Sequence, residues 1–135
     1  MPFVLDCSMT MAWLFADEVS DRASALRDSL LQDHAVVPSL WPMEVANVLL
    51  AATRRGRIQQ SEWQTLIGFI GALPITIDPE TKDRVFTASL PLADQYRLSV
   101  YDAVYLELAL RKRLPLATLD QALRNACRAA GGETM

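Results

Sequence analysis

The sequence predicts an α/β domain built on a short, largely parallel sheet, and three observations carry that expectation. Short apolar runs alternate with longer stretches at helical spacing. The chain has 135 residues, enough for one hydrophobic core. Its composition, 51% apolar and 21% charged, is that of a packed globule rather than a disordered chain. No repeat, low-complexity tract or Gly/Ser linker divides it, so residues 1–135 read as one domain.

Four segments have the character of strands: Phe3–Asp6, Ala35–Val37, Ile75–Ile77 and Leu116–Thr118. Each is short, apolar and followed by polar or capping residues, as expected of parallel strands covered on both faces. Helix signals lie between them. Ser8 is placed to cap a helix through Phe15, and Ser20 or Asp21 to start another reaching about Gln32. Pro42 suits the first turn of a helix over Met43–Arg54, with Val45, Val48, Leu49 and Ala52 on one face and Gly56 as its stop. Trp63, Leu66, Ile67 and Ile70 mark the buried stripe of the next. Asp78-Pro79-Glu80 reads as cap, first helical residue and acidic first turn of a segment reaching Tyr96, with a break near Pro91. Ser99 opens a helix through Arg111. Thr118-x-x-Gln121 has the form of a capping box for the last helix, Asp120 to Ala130. After Gly131-Gly132 little chain remains for a further strand. Trp13 and Phe15 read first as core residues, with a lining role in a partner groove as the alternative.

Composition excludes several classes of function. No stretch approaches the ~18 uninterrupted apolar residues of a membrane span, and Asp6 interrupts MPFVL before a signal sequence can form. The expected location is the cytoplasm, in keeping with two cysteines, Cys7 and Cys127, that lack metal-binding spacing. His34 is the only histidine, which rules out His-based zinc cages and weakens any Ser-His-Asp scheme.

Four acids stand apart from the rest. Asp6 closes the first strand and Asp120 follows the last; ligands of open parallel sheets bind beyond these carboxyl ends. Glu44 and Asp102 lie in first turns of helices, whose N-termini gather at the same edge. Chain lengths agree. From Asp102 to Lys112 a helix descends about 15 Å, and Leu116–Leu119 climb about 13 Å back. Each acid taken alone has a simpler reading, as a turn residue or a favourable charge at a helix N-terminus, worth ~0.3–1 kcal/mol. That reading does not explain their convergence. Two carboxylates ~5 Å apart repel by about 3 kcal/mol at an effective dielectric near 20, so a shared site calls for protonation or a divalent cation. All-oxygen ligands without His or Cys suit Mg²⁺ or Mn²⁺. Bound in this way, such ions activate water and clamp phosphodiester oxygens.

The formal net charge is −3, and without those four acids the remainder carries +1. Cationic residues cluster at Arg54, Arg55 and Arg57 and at Arg111, Lys112 and Arg113. These groups suit phosphate contacts, although a basic last helical turn also complements the helix dipole.

With these residues in place, the chain resembles the PIN-domain ribonucleases, and among them the VapC-type toxins of bacterial toxin–antitoxin pairs. The resemblance runs along essentially the whole chain and rests on FVLDCSMTMAWLF, WPMEVANVLL, LSVYDAVYLELA and LPLATLDQAL in that order. It implies a PIN-like three-layer α/β/α domain with a central sheet of four to five strands. It also implies endonucleolytic cleavage of RNA by metal-activated water, leaving a 5′-phosphate and a 3′-hydroxyl. Asp6, Glu44, Asp102 and Asp120 match the family's catalytic, metal-binding acids, with Mg²⁺ or Mn²⁺ as the cofactor. Ser8 resembles the hydroxyl that lines the site, and Asn47, one turn after Glu44, is a candidate to hydrogen-bond it. The partners implied are the RNA substrate, a small antitoxin protein and a second copy in a homodimer, with no membrane. Two alternatives belong to other classes. A non-catalytic PIN-like binding module would usually lack one of the acids. A phosphotransfer α/β domain would need either a second acid where Ser8 stands or a late lysine that LATLD does not supply.

Overall fold

Four strands form the sheet: β1 (Phe3–Leu5), β2 (Ala35–Val37), β3 (Ile75–Ile77) and β4 (Leu116–Ala117). The computed structural model describes residues 1–135, and in it every pairing is parallel, in the order β3-β2-β1-β4. Val4 lies level with Val36 on one side and Leu116 on the other. β1 and β2 are buried throughout, as expected of strands covered on both faces. β3 is not: it is the edge strand, and Thr76 and Ile77 are exposed. At the other edge, the tail adds a single bridge rather than a strand. Leu116 N donates to Glu133 O at 2.9 Å, and Met135 N to Leu116 O at 3.0 Å.

The helices are α1 (Cys7–Leu14), α2 (Asp21–Ser29), α3 (Trp41–Arg54), α4 (Trp63–Gly71), α5 (Thr81–Arg84), α6 (Leu90–Tyr96), α7 (Val100–Lys112) and α8 (Gln121–Ala129). α1 packs on α2 and α3, whereas α7 packs on α6, α8 and directly on β1 and β4. The first two crossovers run one way along the sheet and the third runs the other. Right-handed connections therefore put these two groups of helices on opposite faces, giving three layers, α/β/α. The core joins β1, β2 and β4 to Met9, Trp13, Phe15, Leu49 and Leu106. Trp13 and Phe15 are thus core residues, and Trp13 Nε1 donates to Ala23 O at 2.7 Å.

Several local expectations change. Asp6, not Ser8, caps α1, accepting from Met9 N at 3.0 Å. Asp120, not Thr118, caps α8, accepting from Leu123 N at 2.9 Å. In both cases the freed hydroxyl is drawn into contacts between β1 and β4. The expected stripe of α4 is only partly covered. Ile70 is buried, but Ile67 is 52% exposed over an apolar groove between α3 and β3. The break expected near Pro91 is a π-helical stretch, Val85–Ser89, after which α6 runs through the proline. Pro91 has no N–H and would clash with a carbonyl four residues back, and the wider turn relieves both problems.

Candidate active site

The strand order reverses direction between β1 and β4, and that reversal leaves a crevice beyond their carboxyl ends. Asp6 ends β1 on one side of it, and Thr118-Leu119-Asp120 leaves β4 on the other. Asp6 is only 5% exposed, and donors surround its carboxylate. Oδ1 accepts from Ser8 Oγ at 2.7 Å and from Met9 N at 3.0 Å, while Oδ2 accepts from Thr118 Oγ1. Ser8 Oγ in turn accepts from Leu119 N at 2.9 Å, and Thr118 Oγ1 from Asp120 N at 3.0 Å. These bonds fix the end of β4 against the start of α1.

Glu44 enters from α3. Trp41, in the first turn of that helix, donates through Nε1 to Thr10 Oγ1 at 2.9 Å, and Thr10 donates to Asp6 O at 2.8 Å. The base of α1 and the first turn of α3 are thereby held together. Tyr105, buried on α7, donates its hydroxyl to Glu44 Oε1. Asp102 sits three residues earlier on α7, in a first turn capped by Ser99, whose Oγ accepts from Asp102 N at 3.1 Å.

The four acids are close enough for their charges to act on one another. Burial pushes the Asp6 carboxyl above its ordinary value, and the charge of Asp102 adds to that push; hydrogen bonds from Thr118, Met9 and Ser8 offset only part of it. Burial likewise raises Glu44, against the Tyr105 bond and with help from Asp102 and Asp6. Asp102 is raised by burial and then by Asp120. The Cys7 thiol is pushed up to about 12, by burial first and then by Glu44 and Asp6, which marks the same negative field. None of the four acids takes part in an ion pair; the protein's cations pair with Asp17, Glu18, Asp28, Asp33, Asp78, Glu80 and Glu107 instead. No three His, Cys, Asp or Glu side chains come close enough together to enclose a metal ion in this arrangement. The donor set is all oxygen and anionic, which fits a hard divalent cation and not zinc.

Asn47 is not brought in. It lies one turn along α3 from Glu44 but is exposed and makes no side-chain hydrogen bond. Two residues escaped the sequence reading. Thr118 reads in sequence only as a cap, yet its hydroxyl holds Asp6, and the Tyr105 hydroxyl lies 61 positions from its acceptor. The apolar character of LATLD offered one signal for Thr118, as a hydroxyl buried at the end of a strand needs a partner.

Comparison with known proteins bears on the family and the fold. The family model of the PIN domain matches residues 3–129. Ribonuclease VapC3 of Pyrobaculum aerophilum is 28% identical over 123 residues, covering 91% of this chain and 92% of that protein. Among solved structures, PAE2754 from Pyrobaculum aerophilum superposes with a TM-score of 0.72 at 20% identity, covering 99% of this chain and 83% of the other. VapBC2 from Rickettsia felis, bound to a DNA fragment from their promoter, gives 0.66 at 12% identity, covering 100% and 98%. FitAcB from Neisseria gonorrhoeae gives 0.58 at 16%, covering 100% and 96%.

Proposed function

We propose, from the premise that this chain belongs to the PIN-domain family, that it is a divalent-metal-dependent endoribonuclease and the toxin of a toxin–antitoxin pair. The observation that carries the reading is the set of unpaired carboxylates, raised by burial and by one another, at the reversal of strand order. Buried anions without a basic partner are costly unless a cation or a proton meets them. Similarity to Ribonuclease VapC3 over nearly the whole chain supports the choice of RNA.

Asp6, Glu44 and Asp102 would hold Mg²⁺ or Mn²⁺, and Asp120, exposed at the rim, would complete the set. A divalent ion there supplies the positive charge that activates water and stabilises the oxygens of an in-line displacement at phosphorus. The rest falls to the chain. Ser8, Thr118 and Met9 N fix the orientation of Asp6. Tyr105 fixes Glu44 and keeps one of its oxygens turned inward. Ser99 holds the turn that presents Asp102. Because these groups are set before substrate arrives, little reorganisation is needed at reaction.

The partners in this reading are RNA, a small antitoxin that covers the acidic edge, and a second copy of the chain. VapBC2 and FitAcB support the antitoxin. The place of action is the cytoplasm, and no helix of the protein is long and apolar enough to cross a membrane. The test is the chemistry of the product ends. Incubation with a defined RNA and Mg²⁺ or Mn²⁺ is expected to give 5′-phosphate and 3′-hydroxyl termini. Cyclic phosphate ends, or equal cleavage in EDTA, would contradict it.

A further inference from the structure

Folding ties down one arginine in each of the two basic clusters evident in the sequence and leaves Arg54, Arg55, Lys112 and Arg113 exposed. Arg57 is held by Asp17 at 2.6 Å and Glu18 at 2.8 Å. Arg111 is held by Asp78 at 2.7 Å, Glu107 at 2.8 Å and Glu80 at 3.0 Å. Folding assembles a third cluster from distant positions. Arg22, in the first turn of α2, donates from Nη2 to Thr118 O at 3.4 Å. Arg124, on α8, directs Nη1 at the same carbonyl at 3.5 Å and donates to Met135 O at 3.0 Å. Arg128, one turn further along α8, donates from Nε to Thr134 Oγ1 at 3.0 Å. None of the three meets an Asp or Glu side chain within the molecule, as is also true of Arg54, Arg55 and Arg113; what sets them apart is their convergence on one end of β4. Each guanidinium has five N–H donors, so most of this capacity is unspent.

The position of the cluster is informative. Thr118, whose carbonyl receives two of these arginines, is the residue whose hydroxyl holds Asp6. Asp120, which caps α8, and Arg124 and Arg128 on it follow one another at four-residue spacing, stepping away from the acids by about 6 Å each time. The charges sense one another. Burial, and after it Arg124 and Arg128, pull the Arg22 guanidinium below its ordinary value. Three mutually repelling cations beside an anionic site call for an anion, and planar guanidinium groups match phosphate oxygens in pairs.

We propose that Arg22, Arg124 and Arg128 form a binding track for the phosphates of single-stranded RNA flanking the scissile bond, along α8 and away from Asp120. The track rests on the ribonuclease reading above. It reads backbone charge and not base identity, so it sets affinity and direction without setting sequence preference.

The test is the salt dependence of binding to a single-stranded RNA, measured in an Asp102→Asn background that prevents cleavage. Each phosphate contact on a single strand contributes about 0.7 to the slope of log affinity against log salt. Arg22→Gln with Arg124→Gln is expected to lower the slope by about 1.4 and to weaken binding about tenfold or more at low salt. Arg22→Gln alone, at an exposed position where folding is not at stake, is expected to lower it by about 0.7. Arg54→Gln with Arg55→Gln removes the same charge from exposed positions on the last turn of α3, about 15 Å along that helix from Glu44, and is expected to leave the slope as it was. With Asp102 restored, the Arg22/Arg124 variant should raise KM for RNA while the Mn²⁺ concentration for half-maximal rate stays fixed. Equal slopes for the Arg22/Arg124 and Arg54/Arg55 variants, in a protein that cleaves RNA, would overturn the track and leave the nuclease standing. A chain that neither binds nor cleaves RNA would overturn both.

Discussion

Thr118 donates its hydroxyl to Asp6 Oδ2, joining the ends of two adjacent strands across 112 positions of sequence. The bond favours the ionised carboxylate and opposes the burial that raises the Asp6 carboxyl above its ordinary value. Thr118→Val keeps the shape and removes the donor. It should weaken Mn²⁺ about 10- to 100-fold, in the range seen when an outer partner of a metal ligand is lost. Thr118→Ser should restore most of the affinity. The readout is the Mn²⁺ concentration that gives half the maximal cleavage rate, with the melting temperature as a check on folding.

The acidic edge should also cost stability when no metal is present. Asp6, Glu44 and Asp102 are held above their ordinary values, so the native chain binds more protons than the unfolded one as these groups titrate. Their contribution to stability therefore falls as pH rises through the carboxylate range. In EDTA at neutral pH, Asp102→Asn should melt at a higher temperature than the unsubstituted protein. The gap should close as the pH is lowered toward 3.8, the ordinary value for this group. Thermal unfolding across pH measures it, and a variant less stable at neutral pH would count against the arrangement.

Away from the site, Arg111 holds Asp78, whose side chain is fully buried, and Glu107, which is nearly so. Burial alone would raise Asp78, but hydrogen bonds from Arg111 and Thr81 outweigh it and hold the carboxyl below its ordinary value. Stability from this pairing is present above pH 3.8 and is lost on acidification. Arg111→Met strands both acids and should destabilise by about 3–5 kcal/mol. That corresponds to roughly 10 °C or more in Tm. Arg57→Met, which breaks exposed pairs screened by solvent, should cost far less than Arg111→Met. Chemical denaturation of the two variants compares them directly.

Asp120 differs from the other acids in being exposed and in using Oδ1 to cap α8. Its loss should cost less at saturating Mn²⁺ than at low Mg²⁺, because the higher-affinity ion tolerates a missing ligand. Ser8→Ala removes a 2.7 Å bond to Asp6 and should be milder again, worth about 1 kcal/mol. Single-turnover rates across a metal titration rank the variants. An Asp120→Asn protein as inactive as Asp6→Asn at every metal concentration would remove the grading.

What the sequence made legible was whatever is encoded locally. The four strands fall within a residue of their expected bounds, because parallel strands read as short apolar runs between caps. Strand ends and helix lengths put Asp6, Asp102 and Asp120 at one edge of the sheet, where Asp102 acts on Asp6 and Asp120 on Asp102. What failed was local chemistry redirected by tertiary contact. Ser8 and Thr118 look like caps in isolation, but adjacent strand ends give their hydroxyls a carboxylate instead. Asn47 shares a helix with Glu44, yet spacing alone does not decide which way a side chain faces. Arg22 and Arg124 form no cluster in sequence, and only the packing of α2 and α8 beside β4 brings them to one carbonyl.

The central claim is that Asp6 and Asp102 serve one divalent-metal site at which RNA is cut. Single-turnover cleavage of one defined RNA at saturating Mn²⁺, by the unsubstituted protein and by Asp6→Asn and Asp102→Asn, tests it most directly. Each substitution should slow cleavage by about 10³-fold or more, equivalent to ~4 kcal/mol of barrier, with the fold retained. Rates within a few-fold of the unsubstituted protein in either variant, or undiminished cleavage in EDTA, would contradict it.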